Sequence, residues 1–217
     1  MENPRDRYVR THSTPQDEAL EWIEKQTHIR TSYPQMLSGA VQGRFLTMLT
    51  EITGARKVLE IGAFTGYSAV CFALGLPSDG HVDSLEINDE LEDLILEGWS
   101  RAGLSDKVSL HVGDARDWLR ETVSGDAGDL YDIVYMDANK REYCEYYELV
   151  FPLLKQGGLI LVDDVMQGGK VYEQPMPCDK QTTGISEFNE MVASDPRVEV
   201  VMLPLRDGLS IIRKKIE

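Results

Sequence analysis

Short, nearly unbroken apolar runs alternate along this chain with longer stretches whose apolar residues recur every three or four positions. Val58, Leu59 and Ile61 form one run and residues 159–162 another, and residues 81–86, 108–111 and 131–137 read as further short strands. Their length and density suit strands buried on both faces. Between them lie Ala69, Val70, Cys71, Phe72, Ala73 and Leu74, then Leu91, Leu94, Ile95, Trp99 and Ala102, then Trp118 and Leu119, then Tyr143, Tyr146, Tyr147, Val150, Leu153 and Leu154. That spacing predicts helices with one apolar face, and the tyrosine stripe reads as core. Strands alternating with helices through short loops predict an α/β fold, a parallel sheet covered on both faces. The tail, 198–205 and 209–212, reads as two strands across Arg206-Asp207-Gly208.

The pattern differs at three places. Residues 1–13 are polar, and the first helix is signalled at Thr14-Pro15-Gln16-Asp17, with Leu20, Trp22 and Ile23 as its apolar face. Tyr33-Pro34 breaks the chain before a second helix over 40–52, so that 1–53 forms a helical cap over the ligand cleft. Gly157-Gly158 reads as a turn into the fifth strand. From 165 to 184 the periodicity lapses among three glycines and two prolines, predicting a functional loop at the acceptor rim before a helix over 185–193. A chain of 217 residues with no linker is expected to be one domain, 1–217.

The first run leads into Glu60-x-Gly62-x-x-x-Gly66, which lacks the third glycine and G-x-G core of a dinucleotide site. Strand, glycine turn and the helix opened by Ser68 make a nucleotide-type site, and Glu60 places a carboxylate where a cationic or zwitterionic ligand is favoured. S-adenosylmethionine, with its sulfonium and ammonium, fits. Glu86 ends the second strand, where a doubly wound fold puts its ribose-binding acid; as an alternative it is an acid at a helix start, since Asn88-Asp89-Glu90 follows. Asp137 and the pair Asp163-Asp164 end the fourth and fifth strands. Acids converging on one sheet edge repel one another unless a cation lies among them, and hard oxygen donors suit Mg²⁺ first, then Mn²⁺ or Ca²⁺. The alternative is that they cap the helices that follow.

A net charge of −15 repels nucleic acid and anionic membrane surfaces, and no apolar run approaches the roughly 20 residues that span a bilayer. The N-terminus carries no secretory pattern, so a cytoplasmic protein with a small-molecule partner is expected. Cys71, Cys144 and Cys178 lack metal-type spacing; the first two read as core and the third as a loop residue.

Val58-Leu59-Glu60-Ile61-Gly62 with Gly66-Tyr67-Ser68 resembles motif I of the cation-dependent small-molecule O-methyltransferases, the catechol and caffeoyl-coenzyme A enzymes. The resemblance extends through Met36-x-x-Gly39-x-x-x-Gly43, Gly113-Asp114-Ala115, Asp137-Ala138-Asn139-Lys140 and Asp207-Gly208, covering the chain from about Tyr8. It implies a Rossmann-like class I methyltransferase fold with a seven-stranded, mostly parallel sheet whose last strand is inserted antiparallel between the fifth and sixth. It further implies that Met36, the turn with Glu60, Gly62, Phe64, Gly66 and Ser68, then Glu86, Ile87, Asp114, Ala115 and Asp137 bind S-adenosylmethionine. Asp137, Asp163 and Asp164 would hold one divalent ion, with a phenolic acceptor of vicinal hydroxyls; Lys140, if desolvated near that cation, would have a depressed pKa and accept the acceptor's proton. Many such enzymes are homodimers. Asp164 departs from the family's Asn, and Asn139 from a frequent Asp. A metal-independent methyltransferase, a nucleotide-dependent oxidoreductase and a non-catalytic ligand-binding protein are the alternatives.

Overall fold

Helix signals and strand runs both take shape in the computed structural model, which describes residues 3–125 and 131–216. In chain order the helices are α1 Pro4–Thr11, α2 Glu18–Arg30, α3 Gly39–Thr53, α4 Tyr67–Gly75, α5 Glu92–Arg101, α6 Ala115–Ser124, α7 Tyr143–Val150 and α8 Lys180–Ser194. The strands are β1 Lys57–Ile61, β2 His81–Glu86, β3 Val108–Val112, β4 Tyr131–Met136, β5 Leu154–Asp163, β6 Val198–Leu203 and β7 Leu209–Lys214. They form one sheet in the order β3-β2-β1-β4-β5-β7-β6. The pairs β2/β3, β1/β4 and β4/β5 are parallel, and β7 runs antiparallel between β5 and β6. This is a Rossmann-like architecture, a mostly parallel sheet with helices around it. Among the described residues no helix is long and apolar enough to cross a membrane.

Two compact units interleave in sequence, one of residues 1–56 with 63–112 and the other of 57–62 with 113–217. In the first, α3 and α4 cross closely because glycines stand at the contact: a Cβ on Gly43 would meet Cys71 Sγ at 2.8 Å, and one on Gly75 would meet the Thr47 carbonyl oxygen at 2.5 Å. Thr47 Oγ1 donates to the Cys71 carbonyl at 2.8 Å, which satisfies a buried hydroxyl at that crossing. α2 lies on α5, where Ile23 covers Gly98. In the second unit, Val58, Leu59 and Ile61 of β1 are wholly buried, each contributing about 1.5–3 kcal/mol through removal of apolar surface from water. Tyr143 and Tyr147 of α7 meet Phe188 of α8 edge-on, so the tyrosine stripe is core as expected.

Five boundaries differ from the sequence expectation. α7 ends at Val150, so that Leu153 lies in a 3-10 turn and Leu154 opens β5 rather than continuing the helix. α1 exists although it buries nothing: Asn3 Oδ1 accepts from the Arg5 N–H and Pro4 sits at the first helical position, a local start signal without an apolar face. α2 begins at Glu18 rather than at Thr14-Pro15. Gly157-Gly158 lies inside β5 at a register shift against β4, an irregularity in a longer strand rather than a turn before it. α8 starts at Lys180, because Asp179 accepts from the Gln181 and Thr182 N–H groups, and a 3-10 segment Gln167–Tyr172 occupies part of the predicted loop. Cys144 is half-buried rather than core, whereas Cys71 is buried and Cys178 exposed.

Gly66, at φ +78°, caps α4, and a Cβ there would stand 2.5 Å from Trp99 Nε1. Gly66→Ala is expected to cost about 2–4 kcal/mol in urea unfolding, summing left-handed strain and overpacking. Gly103→Ala has a similar positive φ but open space around it, and should cost only about 1–2 kcal/mol. Equal costs would show that the Trp99 contact is not restrictive.

Candidate active site

In the first unit, the turn after β1 is held by main-chain and carboxylate bonds. The Ala63 N–H donates to the Leu85 carbonyl at 3.0 Å, and the Gly66 N–H to the Ala63 carbonyl at 2.8 Å. Trp99 Nε1 donates to the Gly66 carbonyl at 3.0 Å, and Thr27 Oγ1 and Thr65 Oγ1 lie 2.8 Å apart. Phe64 takes a left-handed φ of 49°, and its N–H donates to Glu86 Oε2 at 2.7 Å. The Asn88 N–H donates to Glu86 Oε1 at 2.9 Å. Glu86 therefore joins two turns through one buried carboxylate. Burial pushes its pKa up, against the N–H groups of Asn88, Phe64 and Ile87, which favour the anion. Ser68 is buried in the first turn of α4, whereas Met36 and Ile87 are exposed.

In the second unit, β1 and β4 run in register, with Glu60 beside Tyr135 and wholly buried. The Asp137 N–H donates to the Ile61 carbonyl at 2.9 Å. Gly62, at φ +99°, follows directly, and a Cβ on it would stand 2.4 Å from the Asp137 carbonyl oxygen. A glycine is needed there for the β4 backbone to pass, a reason independent of any ligand.

Asp137, Lys140 and Asp164 come together. Lys140 Nζ lies 2.6 Å from Asp137 Oδ1 and 3.1 Å from Asp164 Oδ2, with its side chain 13% exposed, and stands 5.4 Å from the Tyr143 ring centre. Asp163 is turned inward: Tyr135 Oη donates to its Oδ2 at 3.0 Å, and the Asp164 N–H to its Oδ1 at 2.9 Å. Tyr143 Oη donates to the Asp163 carbonyl at 3.1 Å, and Asp164 holds a left-handed φ of 57°. Burial pushes the Asp137 carboxyl above the usual carboxylate range; the Lys140 ammonium opposes this, and Asp163 and Asp164 add to it. Burial also works against the Lys140 charge, but Tyr143, Asp137 and Asp164 outweigh it and hold its pKa well above that of free lysine. The depressed lysine pKa expected from sequence is tied to a cation beside Lys140; the groups that face its ammonium here are carboxylates, which hold the charge. Among the described residues no three His, Cys, Asp or Glu side chains form a group that could hold a metal ion. The set Asp137, Asp163 and Asp164 is not gathered as expected: an ammonium stands between two of its members, and the third bonds inward.

Asp114 caps α6, the local alternative raised by its sequence. Its Oδ1 accepts from the Arg116 N–H at 2.8 Å, and the Arg116 guanidinium reaches both of its oxygens. Arg116 also lies 3.2 Å from Glu142 Oε1. Ala115 is the first residue of α6. Sequence reasoning passed over Tyr135, Trp99, Thr27 and Arg116. Tyr135 stood in an apolar run, and Arg116, two residues after a cap, was the one with a readable signal.

Comparison with known proteins points one way. Residues 10–215 match the family model described as O-methyltransferase. Caffeoyl-CoA O-methyltransferase 1 of Eucalyptus globulus is 35% identical over 184 residues, covering 82% of this chain and 75% of that protein. An O-methyltransferase from Bacillus cereus, solved in complex with SAH, superimposes with a TM-score of 0.89 at 31% identity, covering 97% of each chain. One from Streptomyces achromogenes involved in tomaymycin synthesis, solved with SAM, gives 0.89 at 31% identity, covering 98% of this chain and 96% of that one.

The Arg116 pairing, led by its side-chain hydrogen bond, lowers the Asp114 carboxyl to about 2. A depressed acid stabilises the fold above its unfolded value, and that contribution is lost as pH falls through about 2. In Arg116→Met the carboxyl should return toward ~3.9 in a ¹³C NMR titration, and this pH-linked contribution to stability should vanish. An unchanged value would assign the shift to the cap alone.

Proposed function

Because this chain belongs to the O-methyltransferase family and moves the methyl group of S-adenosylmethionine to an oxygen, we propose that its acceptor is a small phenol with vicinal hydroxyls, methylated with the help of one divalent ion. The observation that carries this reading is the pair Asp137 and Asp164, two carboxylates at strand ends that share a single positive charge. Hard oxygen donors suit Mg²⁺, Mn²⁺ or Ca²⁺ in general; here the Lys140 ammonium stands between Asp137 and Asp164, and Asp163 bonds inward to Tyr135. Such an ion, when bound, lowers a coordinated phenol's pKa from about 10 and lets two adjacent oxygens fix the reacting one.

The chain's own groups do the rest. Glu86 accepts the ribose hydroxyls, since each of its oxygens keeps a lone pair beyond its turn bond. The turn from Glu60 through Gly62, Phe64 and Gly66 to Ser68 receives the methionine end, where first-turn N–H groups of α4 are free of helical partners. Asp114 and Ala115 border the adenine, and Met36 and Ile87 offer exposed apolar surface to the same ligand. Lys140 takes the acceptor's proton at Nζ only once its own ammonium, held charged by Asp137 and Asp164, has given up a proton to solvent, and the 165–184 segment forms the acceptor rim. Attack by phenolate on a sulfonium methyl cancels opposite charges, a step favoured where water is scarce. Support for the phenolic class comes from the caffeoyl-CoA relatives. A metal-independent version draws on the Lys140 ammonium itself, a cation already in place.

Methyl transfer from labelled S-adenosylmethionine to catechols, caffeoyl esters and monophenols, with Mg²⁺ and then EDTA, tests the proposal. Turnover confined to vicinal diols and abolished by EDTA is expected; turnover that survives EDTA selects the metal-independent version. Lys140→Met should lower kcat by about 10²–10⁴-fold, the usual range for a general base. Glu86→Gln should weaken S-adenosylmethionine binding about tenfold or more, as for loss of a charged acceptor. Since burial raises the Glu86 pKa, wild-type affinity should fall with decreasing pH sooner than an ordinary glutamate (about 4.3) would give, and the variant should lack that loss.

A further inference from the structure

We propose that Asp207 is a positioning residue for the acceptor: its carboxylate fixes the start of the 165–184 segment and so sets how tightly the acceptor is held. The inference rests on the reading that this segment forms the acceptor rim. Asp207 and Gly208 lie in the turn between β6 and β7, and the sequence resemblance includes both. The Gly168 N–H donates to the Asp207 carboxylate, both of whose oxygens stand 2.7 Å from the Gly168 nitrogen. The Asp207 carbonyl accepts from the Met166 N–H at 2.8 Å, and the Gly208 carbonyl from the Val165 N–H at 3.2 Å. Asn189 Nδ2 of α8 donates to the Val165 carbonyl at 2.9 Å. The N–H groups of Asp164, Gln167 and Gly169 go to Asp163 Oδ1, the Asp164 carbonyl and the Met166 carbonyl, so each N–H from Asp164 to Gly169 has an acceptor.

Gln167, Gly168 and Gly169 all take positive φ. A residue other than glycine holds such a conformation where its surroundings enforce it, and here the Asp207 carboxylate ties the stretch from outside. An ionised acceptor makes the stronger bond to an N–H, which is a reason for an acid at this turn. Gly208 leaves little room for slippage, since a Cβ on it would stand 2.6 Å from Met166 Cγ. Gly169 lies against Tyr172, whose Oη would be 2.9 Å from a Cβ placed there. The exposed part of the segment, at Tyr172 and Met176, therefore starts from a fixed base.

Hydrogen exchange, together with steady-state kinetics on catechol and a caffeoyl ester, tests this. In Asp207→Ala the amides of 166–169 should exchange about tenfold faster than in wild type, as for loss of a bond to a charged group, while those of buried Phe188 and Ile212 stay unchanged. The acceptor KM should rise by a similar factor, with kcat and the Kd of S-adenosylmethionine little changed. Asp207→Asn keeps an oxygen acceptor and should recover most of both effects. Unchanged exchange at 166–169 would overturn the proposal, and so would faster exchange spread through the core, which would assign Asp207 to stability alone. Faster local exchange with an unchanged acceptor KM would also overturn it while leaving the proposed acceptor class in place. Absence of wild-type turnover on both acceptors would remove that class, and the role of Asp207 with it.

Discussion

Carboxylates at the ends of buried strands are the constraint on which this structure turns. A parallel sheet delivers its strand ends to one edge, and here several end in acids that a low-dielectric interior cannot hold without compensation. Each is answered differently. Glu86 receives two main-chain N–H groups, Asp163 a phenol and an amide, and Asp137 and Asp164 share one ammonium. Glu86 and Asp163 are held by neutral donors, Asp137 and Asp164 by a side-chain cation. Neutral donors fix a carboxylate in place and leave its charge intact, which suits a group that accepts ligand hydroxyls. A mobile side-chain cation can be exchanged, which suits a group that meets an acceptor.

Glycines carry the second part of the design, but not only for the reason the motif suggests. Gly62 and Gly66 both take positive φ, as a turn beside a nucleotide requires. Each is also filled from the protein side, Gly62 by the Asp137 carbonyl and Gly66 by the Trp99 indole. The spacing of motif I therefore records the packing of β1 against β4 and of α4 against α5 as much as access for a ligand. That double duty leaves such a motif little tolerance at either glycine.

The sheet was legible because burial on both faces leaves dense apolar runs, and its strand–helix alternation admits few topologies. The helical cores at Leu94, Ile95 and Trp99 and at Tyr143 and Tyr147 followed from spacing alone. What escaped was local or relational. α1 has no apolar face to read, so only Asn3-Pro4 announced it. The start of α8 depended on Asp179, a cap inside a stretch whose glycines and prolines dominated the pattern. The direction of the Lys140 shift could not be read from residue types, since desolvation lowers a lysine pKa and carboxylates raise it, and only distances decide between them. Likewise Asp163 announced itself as a ligand, while its bond from Tyr135 joins residues 28 positions apart.

Backbone strain falls at the same places as the chemistry. Phe64, Asp164, Gln167 and Arg206 are the non-glycine residues with positive φ among those described, and the first two donate their N–H groups to Glu86 and Asp163 in their respective units. A left-handed residue other than glycine costs about 1–2 kcal/mol, so such a conformation persists where its surroundings enforce it. For Phe64 the enforcing contact is Glu86, which takes its N–H; for Asp164 it is Asp163, which does the same. In both cases an acid at the end of a strand fixes the backbone of a neighbouring turn. Loss of either carboxylate would then act twice, removing a polar group from the site and releasing the turn that presents the rest of it. The acids thus hold the turns beside them through their own hydrogen bonds.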